Sequence, residues 1–182
     1  VFCGKMVKLD EYTVGAICRY TDTTPVFFVT LLKINSDYTI SATLSSNTVQ
    51  VSTNLAGSLG DITGTEIDNT HMVIFYTFGN NLYAIPVDVS SESPNLGNSV
   101  KCYTNSMDSY YYPCCVCVDE KYVVVATQTN RNGMRVQLMS GVYNKTSNTI
   151  SMGATGLTAV NEWLISNFGT TRQPAGMVYD AG

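Results

Sequence analysis

Apolar residues in this chain fall in short runs, each closed by a cluster of Asn, Asp, Gly, Ser or Thr. Alternation over 12–19 puts Val14, Ala16 and Cys18 on one side of a strand. A turn at 21–25 leads into an apolar run at 26–34, and Asn35-Ser36-Asp37 turns the chain back through 38–42. The same plan follows at 72–78, a Gly-Asn-Asn turn at 79–81, 82–89, a polar loop at 90–98, and 99–104. It follows again at 122–128, an Asn-Arg-Asn-Gly turn at 130–133, 134–143, a loop at 144–148, and 149–153. Each set is preceded by one more strand, at 5–9, 62–67 and 114–118. Strand runs without helical periodicity predict an all-β protein. Residues 159–168, with Trp163 and Leu164, fit either a short helix or a fifth strand.

The sets are copies of one unit. An apolar residue, a turn aspartate and a β-branched run recur around Asp10, Asp68 and Asp119, and a fourth copy begins at Asp180. The aspartates lie 58, 51 and 61 residues apart (10 to 68, 68 to 119, 119 to 180). The apolar residue of the last strand falls 30, 32 and 31 positions after its aspartate, at Ile40, Val100 and Ile150. Pro113 and Pro174 each stand six residues before their aspartate, which predicts a strand beginning just there. The predicted architecture is tandem four-stranded antiparallel meanders, propeller-like blades, three complete and a fourth started. Units are expected at 1–57, 58–111 and 112–158, with 159–182 as connector and start of the fourth. One meander buries too little to stand alone, so the units are expected to stack. Because a closed propeller takes about four to eight blades, the chain is read first as an excerpt of a longer array, with completion by other subunits and an open stack or barrel as the alternatives.

Composition narrows the function more than it defines it. A net charge of −4, with only 13% charged residues, disfavours a nucleic-acid binder, which needs clustered Lys and Arg. No apolar run approaches the roughly 20 residues of a spanning helix, so no membrane insertion is expected. The cysteines at 3, 18, 102, 114, 115 and 117 are read as reduced, small core residues. On a strand, Cys115 and Cys117 share one face and Cys114 takes the other. Three disulfides and a zinc site are the alternatives; Cys-Cys-x-Cys lacks a second ligand cluster, and His71 is the sole histidine.

No catalytic motif stands out. The repeated aspartates are read as turn residues accepting backbone N–H groups, against the alternative of a carboxylate ring. No nucleophile elbow, phosphate loop or dinucleotide fingerprint is present, and a hydroxyl or thiol nucleophile has only His71 as a base. No enzyme activity, no cofactor and no metal is expected. The candidate contact residues are Tyr110, Tyr111 and Tyr112, placed in the loop entering the third unit beside Asn105, Asp108 and Ser109. Tyrosine offers an apolar face and a hydroxyl, which suits a sugar ring or a flat protein partner; packing between units is the competing reading. Asn144-Lys145-Thr146 matches a glycosylation sequon.

The repeat, together with Ser147-Asn148-Thr149-Ile150-Ser151-Met152-Gly153, resembles units in structural proteins of tailed bacteriophages and related prophages. In that family such units resemble propeller blades of tail-fibre, baseplate or head-appendage proteins. The resemblance implies a non-enzymatic virion protein, assembled in a host cytoplasm and serving particle assembly or host-surface attachment. Its partners would be other virion subunits or further copies of itself, and a host glycan at the surface. The alternative is a secreted or surface lectin-like propeller, which would be extracellular.

Overall fold

The computed structural model describes residues 2–20, 26–41, 48–50, 59–91, 93–102, 110–129 and 135–153. Every regular element among them is a strand. The first sheet holds β1 (Phe2–Lys8), β2 (Thr13–Tyr20), β3 (Val26–Ile34) and β4 (Ile40–Ser41) in chain order, with β5 (Thr48–Gln50) also paired to β3. The second holds β6 (Leu59–Asp68), β7 (His71–Phe78) and β8 (Asn81–Asp88). There β8 pairs along part of its length with β9 (Asn95–Leu96) and along another part with β10 (Val100–Lys101). The third runs β11 (Tyr110–Val118), β12 (Tyr122–Thr129), β13 (Arg135–Asn144) and β14 (Thr149–Met152). All pairings are antiparallel.

The all-β expectation and the antiparallel meanders hold. β5 and β9 are short additions that the pattern did not reveal. Pro86 is tolerated inside β8 because it falls where that strand changes neighbour, between the Ala84↔Val100 and Val87↔Leu96 pairs. The expectations for 159–168, for the strand starting at Pro174 and for Asp180 lie outside the described residues.

The sheets stack with the second in the middle. Ile17, Phe27, Val29 and Leu31 of the first meet Met72, Ile74, Ile85 and Val87 of the second. On the other side Val73, Phe75, Leu82 and Ala84 meet Val123, Val125, Met139 and Tyr143 of the third. Met72, Val73, Ile74 and Phe75 are consecutive and wholly buried, because alternate residues serve opposite interfaces. Each such large side chain contributes about 1.5–3 kcal/mol when removed from water. Among the described residues the three sheets form an open stack and do not close into a ring.

The first strands of the three sheets lie together, β6 against both β1 and β11. Each carries a register irregularity at a similar place: between Cys3 and Lys5, between Leu59 and Ile62, and between Tyr111 and Cys114. Pro113 therefore sits in a bulge inside β11 and does not open the strand, as its position had implied. The irregular segments touch one another. A Cβ on Gly4 would lie 2.7 Å from Ile62 Cγ2, so the first contact requires glycine. In the second, the Tyr112 N–H donates to Asp61 Oδ2 at 2.9 Å.

Candidate functional site

Two places collect polar side chains. The first is the end of the stack where the β6–β7, β11–β12 and β13–β14 turns meet. Asp68 closes β6, and its Oδ1 accepts the Thr70 N–H at 2.8 Å and the Thr70 hydroxyl at 2.9 Å. This local arrangement is why aspartate recurs before the second strand: Asp10 Oδ1 accepts the Tyr12 N–H at 2.7 Å in the same way. Asp37 and Asp88 do likewise for Thr39 and Ser90. Asp119 meets the same need differently. Asp119 and Glu120 have φ of 52° and 50°, and the Lys121 N–H donates to the Val118 carbonyl at 3.2 Å. Two left-handed residues are the mark of a primed hairpin turn.

Asp68 does more than cap its turn. His71 Nδ1 lies 2.9 Å from Asp68 Oδ1 and 2.9 Å from Thr70 Oγ1. Lys145, from the β13–β14 turn, places Nζ 2.7 Å from Asp68 Oδ2 and 2.7 Å from Glu120 Oε2. Tyr143 faces the His71 ring at a centroid distance of 5.7 Å, and its hydroxyl donates to Asn148 Oδ1 at 3.1 Å. Asn148 in turn donates to the Asn95 carbonyl at 3.2 Å. Second and third sheets are thus tied by a chain of polar contacts across their edge.

The charges reinforce one another. Burial works to raise the Asp68 carboxyl, but Lys145, the Thr70 N–H, His71 and the Thr70 hydroxyl outweigh it and hold it well below the usual carboxylate range. Hydrogen bonds to Asp68 and Glu120 raise the Lys145 ammonium. Burial pushes the Tyr143 phenol up to about 12, helped by Asp88 and Asp68. Beside these groups a shallow cleft of about 400 Å³ runs along Asp119, Glu120, Lys121, Val142, Tyr143, Asn144 and Lys145.

Asp68, His71 and Thr70 do not form a relay for nucleophilic attack. A relay places the acid and the hydroxyl on opposite ring nitrogens, whereas both converge here on Nδ1. Among the described residues no group of three His, Cys, Asp or Glu side chains is placed to hold a metal ion. The arrangement is a clamp between sheets. His71 and the turn aspartates were visible in the sequence; Glu120, Tyr143 and Lys145 were missed, because only stacking brings them to Asp68.

The second place holds the tyrosines. Tyr110 and Tyr111 open β11, paired with Thr129 and Gln128, so they belong to a strand and not to the loop expected from sequence. Tyr112 has φ of 50° and is 39% exposed in the bulge. A bulge re-aims the side chain it carries. Asn105, Asp108 and Ser109 lie outside the described residues.

No family matches the chain, and no curated protein or solved structure is significantly similar to it.

The described cysteines 18, 102, 114, 115 and 117 are free thiols. Cys115 and Cys117 pack toward the second sheet, and burial pushes the Cys115 thiol up to about 12. Its Sγ contacts Thr63 Oγ1 at 3.8 Å. Cys102 is buried and likewise raised. Such thiols are inert packing groups.

Proposed function

We propose that the chain is a non-enzymatic structural protein of a virion, a β-repeat array of propeller-like units serving particle assembly or attachment to a host surface. The observation that carries this reading is the sheet stack itself. Three copies of one meander join through two apolar interfaces, and the polar groups at the edge act as a clamp. That is the chemistry of an assembling part. The setting rests on the resemblance read from the repeat sequence alone, and free thiols suit assembly in a reducing cytoplasm. Mass spectrometry of purified particles from cells producing this chain tests the proposal. Its peptides are expected at a fixed ratio to the major structural proteins, and their absence from intact particles would sink it.

A glycan-binding protein of the cell surface is the second reading, favoured by Tyr112. An exposed aromatic ring on a bulge offers a flat apolar face beside a hydroxyl. A glycan array run with the unaltered chain and with Tyr112→Ala tests it. Binding that disappears in the variant supports this reading; no binding, or binding indifferent to the change, removes it.

A further inference from the structure

Strand register sets one pair of cysteines directly opposite each other. In the first sheet Cys3 of β1 is the partner of Cys18 of β2. Opposed residues of an antiparallel pair share a face, with Cα atoms about 4.5–5.5 Å apart and Cβ atoms at a similar distance. A disulfide takes Cα atoms roughly 4.4–6.8 Å apart and Cβ atoms roughly 3.5–4.5 Å apart. The first condition is met without movement, and the second asks the two strands to close by at most about 1 Å.

No other cysteines among the described residues are opposed in this way. Cys114, Cys115 and Cys117 pair with Ala126, Val125 and Val123. Cys114 and Cys115 are neighbours on a strand and take opposite faces. Cys115 and Cys117 share a face, but two residues of rise, about 6.6 Å, separate their parallel side chains. Cys102 follows β10, which β8 and β7 separate from β6, whereas β11 packs on β6 itself. Burial raises the thiols of Cys102, Cys114, Cys115 and Cys117, which keeps all four protonated and unreactive. Cys18 is half-buried, within reach of a small reagent.

The pair also sits where β1 is held least. Gly4 is the extra residue between Cys3 and Lys5, and beyond it only Phe2↔Arg19 and Cys3↔Cys18 continue the ladder. On the other side of Gly4, Val7 and Leu9 anchor the chain in the core. The pairs just past the irregularity in the second and third sheets are Leu59↔Phe78 and Tyr111↔Gln128. Large residues stand at those positions, where the first sheet has two small ones.

We propose that Cys3 and Cys18 form a disulfide when the folded chain meets a small-molecule disulfide, fastening the outer end of β1 to β2. One thiolate of the pair attacks a sulfur of oxidised glutathione, which gives a mixed disulfide and releases one glutathione. The second thiolate attacks the protein sulfur of that mixed disulfide, forming the Cys3–Cys18 bond and releasing the other glutathione. Two protein S–H bonds become one S–S bond, and the two electrons and two protons leave with two reduced glutathiones. Drawing opposed strands together strains the bridge, so a dithiol reductant reopens it readily. The bond needs only an oxidising medium, in a virion or elsewhere.

The test uses the whole chain, folded and reduced, then incubated with oxidised glutathione and alkylated at its remaining thiols. Mass spectrometry of a non-reducing tryptic digest is expected to show the peptide ending at Lys5 joined to the peptide 9–19 as the dominant cross-link. Dithiothreitol is expected to separate them. Urea denaturation is expected to give a higher midpoint for oxidised than for reduced wild type, a rise missing from Cys3→Ser and Cys18→Ser under the same treatment. Glutathione left on either residue without a cross-link would overturn the proposal. So would a cross-link that forms only in urea, a different pairing that predominates, or a bridged chain whose midpoint does not move.

Discussion

Gly64 lies on β6 where β1 packs against it, and a methyl group there has no free space. An added Cβ would sit 2.7 Å from Ile17 Cδ1, and 3.2 Å from both Val7 Cγ2 and the Val73 carbonyl oxygen. Carbon pairs rest at roughly 3.5–4.0 Å. Ile17 must then retreat by about 1 Å in an interior that is already close-packed, and it is wholly buried. Overpacking of this kind costs about 1–3 kcal/mol. Against it stands a gain of about 0.4–1 kcal/mol from a stiffer unfolded chain. Gly64→Ala should therefore lose about 1–2 kcal/mol on balance. Ile17→Val removes the opposing Cδ1 and by itself costs about 0.5–1.5 kcal/mol. If the clash with that atom dominates, the double variant is about as stable as Ile17→Val alone, a coupling of about 1 kcal/mol. Urea denaturation followed by circular dichroism reads all four proteins, with an unchanged slope as the check on two-state unfolding. Losses that simply add in the double variant, or a neutral Gly64→Ala, would refute the close approach of Ile17 on β2 to Gly64 on β6.

The clamp predicts an acid limb. Asp10, Asp37 and Asp68 all have carboxyl pKa values below the ordinary range, with hydrogen bonds or ion pairs outweighing burial. Their stabilisation is complete above the unfolded value of about 3.9 and is lost as pH falls through the depressed folded values. Stability should hold from neutrality to about pH 4 and fall below it; Asp68→Asn should cost about 1.5–3 kcal/mol at pH 7 and flatten that fall in denaturation series. Tyr38 has φ of 63° and is 89% exposed, so Tyr38→Gly relieves strain without removing a packed group. Its melting free energy should rise by about 1 kcal/mol; an unchanged or lower value would contradict the turn geometry. Thiol labelling at pH 8 should leave Cys102 and Cys115 unmodified in the native protein and label all six cysteines after unfolding. Fewer than six labelled without reductant would reveal a disulfide.

Much of the fold was legible because its signals are local. A turn aspartate must follow the first strand of each sheet, and Ile40, Val100 and Ile150 must fall at a constant distance from it, whatever the surroundings. Pro113 misled for an equally local reason: proline fits a strand start and a bulge alike, and only pairing with β12 tells them apart. The candidate site was less legible. Lys145 looked like one more turn residue, and Glu120 like a hairpin tip, until the meander set them 2.7 Å apart and stacking set Lys145 2.7 Å from Asp68. Tyr110 and Tyr111 read as loop because they adjoin Asn105, Asp108 and Ser109, and the ladder with Gln128 and Thr129 overrides that composition. Ile34 and Ile40 carried a strand pattern in the sequence, but their exposure depends on what packs across the sheet, which the pattern does not carry.

The irregularity in β11 divides that strand into two independently phased halves. Below it, Cys115 and Cys117 are held toward the second sheet by pairing with Val125 and Val123. Above it, Tyr110 and Tyr111 are held by a separate stretch of ladder, opposite Thr129 and Gln128. Tyr112 and Pro113 stand opposite the one residue Thr127, so loss of Pro113 would leave a continuous ladder with both halves in their present register. The same holds for the first strands of the other two sheets. At each of these three points the first strand carries one residue more than its partner, so a one-residue deletion there is absorbed while the packing that folds the stack is inherited intact.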